Sequence, residues 1–276
     1  MARDAFGRQG FGAMRLREGT ADDPVAVVHA ALDAGISMVD TADAYQNEEL
    51  VGRAIRGRRH EVLLASKFGL VWRAEVAGDF DVRADPAYVR QACEASLRRL
   101  GVDEIDLYYL HARSAQVPIE ETVGAMAGLV AQGKVRALGM SNVTAEDLRR
   151  AHAAHPIAAL QERWSVDHRD IEQELLSAVA ELGTVVVAHS PTSHGLLHRD
   201  DLHPVLDEIG AKHGATAGQV ALAWVHHRQQ VHGVPVVPLP GTTRVSHLHA
   251  NVAAADLVLS DDELRRLDGS TGVDVQ

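Results

Sequence analysis

Four side chains that can take part in proton transfer are spread over the first half of the chain: Asp40, Tyr45, Lys67 and His111. Asp40, Lys67 and His111 each end a segment that is predicted to form a β-strand, and Tyr45 follows Asp40 by five residues. The carboxyl ends of parallel strands in a barrel meet at one mouth, where such folds place their chemistry. We therefore expect the four side chains to lie close together.

These residue types suit the donation of a proton to a carbonyl oxygen while another group delivers hydride. A tyrosine phenol normally titrates too high to be a ready acid at neutral pH. A lysine ammonium beside the phenol would lower its pKa, and a carboxylate would keep the lysine charged and in place. Tyr45 is thus predicted to be the acid, tuned by Lys67 and Asp40, while a neutral His111 orients the carbonyl.

Each of these residues alone has a commoner structural role, such as a helix cap, an exposed strand end or a packed ring. Their shared position at one end of consecutive strands makes the combination specific. The prediction therefore depends on the elements that carry them.

Eight short apolar segments alternate with amphipathic stretches along the whole chain, which favours a parallel sheet. Several segments are apolar throughout, as expected for strands buried on both faces. The predicted strands are GFGAM, ISMVD, VLLASK, IDLYYLH, VRALGMS, AALQE, VVVAH and VPVVPLP.

Residues that begin and end helices separate these strands. Capping side chains precede prolines or form capping boxes at helix starts, and glycines end helices just before strands. The pattern predicts an α/β fold, a single-domain (β/α)8 (TIM) barrel over residues 1–276. An open doubly wound sheet is the alternative, but no G-x-G-x-x-G fingerprint follows the first strand. The helix starts are Asp23-Pro24, Asp85-Pro86, 144–147 and 260–263, and the terminating glycines are Gly35, Gly101, Gly133 and Gly183.

Composition and charge narrow the function further. The formal net charge of −11 argues against nucleic acid or a membrane surface as a partner, because no basic field would attract phosphates. The only cysteine, Cys93, is predicted to be a packed thiol in a reducing compartment. With no apolar leader or membrane-spanning run, a cytoplasmic enzyme with a small-molecule carbonyl substrate is expected, and no protein partner is inferred.

The sixteen histidines invite a metal interpretation. His194, His198 and His203 lie close together in sequence, and His247 and His249 are two apart. Neither group is completed by a cysteine or carboxylate at a ligand spacing, so no metal site is predicted.

Long motifs of the chain resemble those of the aldo-keto reductase family over nearly its whole length. The segments DTADAYQNEELVGRAI, LLASKFG, SLRRLGVDEIDLYYLH, GKVRALGMSN, AHSPTSHGLL and LPGTTRVSHLHANV carry the resemblance. It is closest to the bacterial and plant branch that acts on diverse aldehydes and ketones. The resemblance implies a (β/α)8 barrel that binds NADPH across its mouth without a Rossmann domain.

The resemblance also implies a set of cofactor contacts. Nicotinamide would meet residues after the fifth, sixth and seventh strands, and the adenosine end would meet the segment after the last strand. Arg244 and His247 are the candidates for the 2′-phosphate, where an arginine fork is the better anion partner. The remaining implied contacts are Gly12, Met14, Asp40, Ser141, Asn142, Gln161, His189, Ser190, Pro191, Pro240, Gly241, Thr242 and Asn251.

Several departures from the family pattern bear on these contacts. His189 stands where the family usually stacks an aromatic ring on the nicotinamide. The 2′-phosphate site has fewer cationic residues than is usual in the family, so NADH is the alternative cofactor. Gln46 replaces the glycine after the tyrosine, which predicts a different local backbone. The segment after Leu197 is short, and the chain ends at Gln276, which predicts an open site with weak cofactor clamping.

The favoured function is an NADPH-dependent carbonyl reductase. The alternatives are an alcohol, sugar or pyridoxal dehydrogenase that works in the oxidative direction, and a cofactor-sensing module with vestigial turnover. Trp72, Trp164 and Met14 are predicted to wall the substrate pocket. Two loops, Gly69–Asp85 and His189–Asp200, are predicted to overhang it.

Overall fold

The computed structural model describes residues 3–73, 80–193 and 204–270. Ten strands are found there, and eight of them correspond to the eight predicted segments. The strands are β1 (Phe11–Gly12), β2 (Met38–Asp40), β3 (Leu63–Phe68), β4 (Leu70–Trp72), β5 (Phe80–Val82), β6 (Ile105–Leu110), β7 (Val135–Ser141), β8 (Ile157–Arg163), β9 (Val185–His189) and β10 (Val236–Leu239).

The eight predicted strands form one parallel sheet in the order β1-β2-β3-β6-β7-β8-β9-β10. Backbone hydrogen bonds close it between the first and last strands. The N–H of Gly10 donates to the carbonyl of Pro238 at 2.9 Å, and the N–H of Gly12 donates to that of Pro240 at 3.0 Å. The predicted (β/α)8 barrel is therefore confirmed, and the open-sheet alternative is wrong.

Helices return the chain from one strand to the next on the outside of the barrel. The capping predictions are confirmed: Asp23 and Asp85 accept from backbone N–H groups of the first turn, and Thr144 and Ser260 form capping boxes. The helices are α1 (Pro24–Asp33), α2 (Glu48–Ile55), α3 (Pro86–Leu100), α4 (Ile119–Ala131), α5 (Ala145–Ala154), α6 (Leu175–Leu182), α7 (Pro204–His213), α8 (Ala217–His232), α9 (Val245–Ala253) and α10 (Asp261–Gly269).

The barrel interior is filled by alternate residues of the strands, because successive side chains of a strand point to opposite faces. Leu63 and Ala65 of β3 lie in this interior cluster, and Lys67 continues the same alternation at the end of the strand. Met38 of β2 is likewise followed by Asp40. Inside the barrel, the side chains nearest the carboxyl ends of the strands are therefore polar, and those below them are apolar.

The amino-terminal end of the barrel is covered by a short 3-10 turn, Arg3–Phe6, which sequence reasoning missed. Phe6 is fully buried and belongs to the interior cluster with Met38 and Leu63. A single aromatic side chain thus seals the face opposite the polar layer.

The long segment after β3 was predicted to be a loop, but its two ends pair. β4 and β5 form an antiparallel hairpin in which Trp72 lies opposite Phe80. Their rings meet edge to face, with centroids 6.1 Å apart. Residues 74–79 between them lie outside the described part of the chain.

Cys93 is buried on α3, and burial raises the pKa of its thiol to about 12, which confirms the prediction of a packed thiol. Within the described residues, no helix combines the length and apolar character that crossing a membrane requires.

Candidate active site

A buried ion pair lies at the centre of the barrel mouth. Lys67, at the end of β3, donates a hydrogen bond from Nζ to Oδ1 of Asp40, at the end of the adjacent β2. The second carboxylate oxygen of Asp40 accepts from Nε2 of Gln161 on β8 at 2.9 Å. Burial alone would lower the pKa of Lys67, but Asp40 and Tyr45 together raise it by more, so the net pKa is raised. The ammonium is therefore charged at neutral pH.

Tyr45 is brought to this pair by a short turn. Residues Asp43–Tyr45 form a 3-10 turn, and Gln46 ends it in the left-handed conformation with φ of 56°. The phenol oxygen lies 3.3 Å from Nζ of Lys67. The indole N–H of Trp72 fixes the turn from above by donating to the carbonyl of Ala44 at 2.8 Å. Gln46 itself adopts the left-handed conformation that glycine enters freely, so this turn forms without a glycine.

The pKa of Tyr45 is raised, not lowered as the neighbouring lysine in the sequence predicts. Burial raises the pKa of the phenol; Lys67 lowers it, and Asp40 and Asp43 raise it further, so the net direction is upward. The cluster therefore keeps Tyr45 protonated at neutral pH. Its ammonium neighbour remains available to stabilise the phenolate if the proton leaves.

His111 follows β6 and faces the phenol. Its ring centroid lies 5.7 Å from that of Tyr45, with the planes at 84°. Burial, the charge of Lys67 and the nearby His189 lower the pKa of His111 to about 2, so the imidazole is neutral. Asp40, Tyr45, Lys67 and His111, which we call the mouth cluster, are thus brought together as the sequence predicts.

The strand ends beyond His111 carry the predicted nicotinamide contacts. Asn142 and Ser190 both have positive φ, at 51° and 50°, which is uncommon for residues other than glycine. The amide of Asn142 donates to the carbonyl of His111 at 2.9 Å and to Oγ of Ser141 at 3.1 Å. Nδ1 of His189 lies 3.1 Å from Oγ of Ser190. These residues, with Gln161, line the side of the mouth next to the cluster, and Pro191 follows them in the chain.

The remaining predicted contacts lie on residues 240–251, which we call the 240–251 segment. A Cβ built on Gly241 would lie 2.6 Å from the carbonyl oxygen of Gly12, so glycine allows this segment to close against β1. Arg244 stands at the N-cap of α9, and the hydroxyl of Thr242 accepts from its backbone N–H at 3.1 Å. His247 is exposed, and Asn251 is buried.

An acidic side chain from another loop reaches the start of α9. Oδ2 of Asp22 accepts from the backbone N–H of Val245 at 2.7 Å. No pattern in the sequence indicates this contact, because 223 residues separate the two partners. It places a carboxylate in the same helix turn as the predicted 2′-phosphate contacts.

Comparison with known proteins agrees with this geometry. A profile of the Aldo/keto reductase family matches residues 8–271. The chain belongs to the aldo-keto reductase family. Its sequence therefore places it in a family of oxidoreductases.

Solved structures of this family superpose on nearly the whole chain. An aldo/keto reductase from Klebsiella pneumoniae in complex with NADP and acetate is 35% identical, with a TM-score of 0.80, and the match covers 95% of this chain and 90% of that one. A glycerol dehydrogenase from Gluconobacter oxydans is 27% identical, with a TM-score of 0.84 and coverage of 97% and 95%. The holo form of an aldo-keto reductase from Bacillus halodurans is 28% identical, with a TM-score of 0.80 and coverage of 98% and 94%.

Two features of this aldo-keto reductase fit a dinucleotide across the mouth. Gly241 has no room for a side chain, since a Cβ there would lie 2.6 Å from the carbonyl oxygen of Gly12, as a backbone cradle requires. The guanidinium of Arg244 is exposed, has no ion-pair partner among the described residues, and stands at the start of a helix, where anions are favoured.

One predicted pocket wall is wrong. Trp164 is fully buried, and its indole N–H donates to Glu172 at 3.0 Å, so it packs in the core rather than facing the mouth. Trp72 and Met14, in contrast, are 48% and 37% exposed. The described residues include no group of three or more histidines, cysteines or carboxylates that could hold a metal. His194, His198, His203 and the segment after Leu197 up to residue 203 lie outside the described residues, as does the chain end.

Sequence reasoning also missed polar residues around the cluster. Asp43, two residues before Tyr45, has its pKa raised to about 7 by burial and by Glu48. Glu48 is itself buried and accepts from Ser66 at 2.6 Å and from Nε of Arg99 at 2.7 Å. The sequence indicates these two residues only through the many polar side chains of the DTADAYQNEE segment. That segment was interpreted as a family motif, so no separate role was predicted for Asp43 or Glu48.

Proposed function

We propose that this protein is an NADPH-dependent carbonyl reductase that converts an aldehyde or a ketone to an alcohol. The observation that supports this most strongly is the mouth cluster, in which a protonated phenol lies between a buried ammonium and a neutral imidazole. The bound dinucleotide would supply hydride to the carbonyl carbon. The remaining tasks fall to the side chains of the protein.

Tyr45 gives its phenolic proton to the carbonyl oxygen. Its raised pKa keeps the proton in place until negative charge develops on that oxygen. Lys67, 3.3 Å from the phenol oxygen, stabilises the phenolate that remains. Asp40 holds the ammonium in position and keeps it charged.

His111 orients the carbonyl oxygen toward Tyr45. Nδ1 is buried without a partner among the described residues, which leaves Nε2 as the nitrogen for the substrate. A neutral imidazole with its proton on Nε2 donates one hydrogen bond to the carbonyl oxygen. The low pKa prevents the ring from becoming a second cation beside Lys67 and competing with Tyr45 as the acid.

The residues along the mouth would hold the cofactor. Gln161 already donates its amide to Asp40, so its carbonyl oxygen is the atom left for a carboxamide group. Arg244 and His247 would bind the 2′-phosphate at the start of α9. The other proposed contacts are Ser141 and Asn142 for the carboxamide, His189 against the nicotinamide face, Ser190 and Pro191 at the pyrophosphate, Gly12, Pro240, Gly241 and Thr242 along the phosphates, and Asn251 at adenine. Met14 would contact the cofactor where it meets the substrate pocket.

The half-exposed ring of Trp72 is proposed to wall the substrate side of the mouth. Its indole N–H is held by the carbonyl of Ala44, next to Tyr45, so the ring lies beside the acid. Met14 is proposed to face it from the loop after β1. An apolar wall of this kind would exclude water from the developing alkoxide.

A second candidate is the reverse reaction, oxidation of an alcohol. The close superposition with a glycerol dehydrogenase favours it. The same cluster serves both directions, since Tyr45 would then accept the proton that it otherwise gives. A module that only senses cofactor is less well supported, because binding alone has no use for the Asp40–Lys67–Tyr45 chain.

The first test is a fluorescence titration with NADPH and, separately, with NADH, followed by a panel of aldehydes and ketones. We expect tighter binding of NADPH and oxidation of NADPH by at least part of the panel. The Tyr45→Phe variant should bind NADPH with unchanged affinity and lose turnover by about a thousandfold or more. Turnover that survives in Tyr45→Phe, or binding of neither cofactor, would contradict the proposal.

A further inference from the structure

Asn47 stands at a helix start but does not cap the helix. It occupies the N-cap of α2, where asparagine normally accepts a hydrogen bond from the first turn. Its side chain makes no such bond, although it is buried and only 4% exposed. A buried amide is costly unless its donors and acceptors are satisfied elsewhere, so its actual partners define its role.

The amide of Asn47 joins two loops at the mouth. Oδ1 accepts from the hydroxyl of Thr41 at 2.6 Å. Nδ2 donates to the carbonyl of Ala13 at 2.7 Å and to that of Leu16 at 3.2 Å. The amide thus links the end of β2 to the loop after β1, in which Met14 is half-exposed.

Thr41 carries this link to Lys67. Its carbonyl accepts from Nζ of Lys67 at 3.0 Å, while its backbone N–H donates to the carbonyl of Ala65 at 2.9 Å. An ammonium has three N–H donors. Asp40 and the Thr41 carbonyl take two of them, which aims the third at the phenol of Tyr45.

We infer that Asn47 is a positioning residue that fixes the Thr41 carbonyl and, through it, the hydrogen bond between Lys67 and Tyr45. The same amide holds the Ala13–Leu16 loop at the rim. Without this amide, Thr41 would lose its hydroxyl partner, and the ammonium would no longer be directed at the phenol. The catalytic part of this inference rests on the proposed function, whereas the effect on the Tyr45 phenol does not.

Two variants and one control separate positioning from simple stability. Asn47→Ala removes all three hydrogen bonds without removing a helix cap, and Thr41→Val removes only the Thr41–Asn47 bond with little change of shape. Thr122→Val is the control, because the buried hydroxyl of Thr122 on α4 donates to the carbonyl of Ala84 at 2.8 Å, outside the mouth cluster. It loses one buried hydrogen bond of the same kind.

The direct measurement is the ultraviolet titration of Tyr45, taken as the difference between each protein and the same protein carrying Tyr45→Phe. The chain has only four tyrosines, so the difference spectrum is small in background. Asn47→Ala should raise the pKa of Tyr45 by about half a unit or more, since the phenolate loses its aligned ammonium. Thr41→Val should raise it in the same direction, and Thr122→Val should leave it unchanged.

Turnover gives the second measurement. After the active fraction is counted by stoichiometric NADPH titration, Asn47→Ala should lower kcat by about tenfold. Thr41→Val, which keeps the bonds of Asn47 to the Ala13–Leu16 loop, should also lower kcat while the Kd for NADPH changes less than about twofold. An unchanged Tyr45 pKa in both variants would overturn the inference, even if both are less stable. If Asn47→Ala does not fold, Thr41→Val decides. An inactive wild-type protein would contradict the proposed function alone, because the phenol titration still decides the role of Asn47.

Discussion

The mouth cluster and the 240–251 segment are built in opposite ways. The cluster lies on the ends of three adjacent strands and one short turn, and its ion pair is excluded from water. The 240–251 segment begins in a loop and continues into α9, with Arg244 and His247 exposed. Rigid, buried groups suit the placement of a proton to within tenths of an ångström. Exposed charges suit the recognition of a phosphate, because changing one of them alters the affinity for the dinucleotide without disturbing the core.

This difference gives the two regions separate tasks. The cluster would determine whether the reaction occurs, and the segment would determine which dinucleotide is bound and how tightly. Changes in the cluster should therefore be large and should affect stability as well as turnover. Changes in the segment should be small and should separate NADPH from NADH.

The largest effect is expected from Lys67→Met. It leaves the carboxylate of Asp40 buried without its cation, which typically costs about 3–5 kcal/mol of unfolding free energy. Turnover should fall by about a hundredfold or more, because the phenolate of Tyr45 loses its partner. Denaturant unfolding and steady-state kinetics measure the two effects.

Lys134→Met is the matched control for that substitution. Lys134 pairs with Glu94, but both side chains are at least one-third exposed, so less than about 1 kcal/mol should be lost. Equal destabilisation by the two substitutions would contradict the buried character of the Asp40–Lys67 pair.

The low pKa of His111 predicts a loss of stability in acid. The unfolded histidine takes up a proton near its ordinary pKa of 6.5, whereas the folded one does not until about 2, so the unfolded state binds more protons between these values. Stability should fall as pH falls, by about 2 kcal/mol from this residue between about pH 6.5 and about pH 5.

His111→Asn should remove that part of the pH dependence, as measured by urea unfolding at several pH values. The contribution of His226, whose pKa is lowered to about 4 mainly by burial, is present in both proteins and cancels in the comparison. A His111→Asn curve parallel to that of the wild type would show that His111 titrates normally.

A smaller effect is expected from Arg244→Ala. The Kd for NADPH should rise about tenfold, corresponding to about 1.4 kcal/mol, and the Kd for NADH should not change. Arg265→Ala, which alters an exposed arginine of α10, should affect neither. Fluorescence titration measures all four constants, and equal weakening of both cofactors would remove Arg244 from the 2′-phosphate site.

The smallest effect is expected from Asp22→Asn. The carboxylate of Asp22 at the start of α9 would repel a phosphate bound there, so its neutral amide should tighten NADPH binding about two- to fivefold. Asp23→Asn is the control, because Asp23 accepts from Val25 and caps α1 instead. No change in the NADPH to NADH ratio would show that Asp22 acts only as a cap for α9.

The sequence predicted the mouth cluster better than its surroundings, for a physical reason. Asp40 and Lys67 continue the inward alternation of buried strands, and parallel strands of a barrel end at one mouth, so their meeting follows from local pattern and topology alone. The direction of the Trp164 ring does not follow in this way. It depends on a contact with Glu172 in a turn that no short-range pattern specifies.

Polar contacts between residues far apart in the chain could not be predicted from the sequence either. The bonds from Asn47 to Ala13 and Leu16 span more than thirty residues, and asparagine before a helix indicates only a cap. The pKa of Tyr45 is raised mainly by burial, which outweighs the lowering by Lys67. The sequence shows the lysine but not the burial. The β4–β5 hairpin was missed because its strands are three residues each, too short to show alternation.

The mouth cluster and the 240–251 segment are expected to act independently, the first on chemistry and the second on cofactor binding. The most direct test is a double-mutant cycle on the Kd for NADPH with Tyr45→Phe, Arg244→Ala and both together. We predict that Tyr45→Phe adds nothing to the loss caused by Arg244→Ala, with a coupling below about 0.5 kcal/mol, as distant sites show. A coupling well above that value would contradict the separation of the two regions.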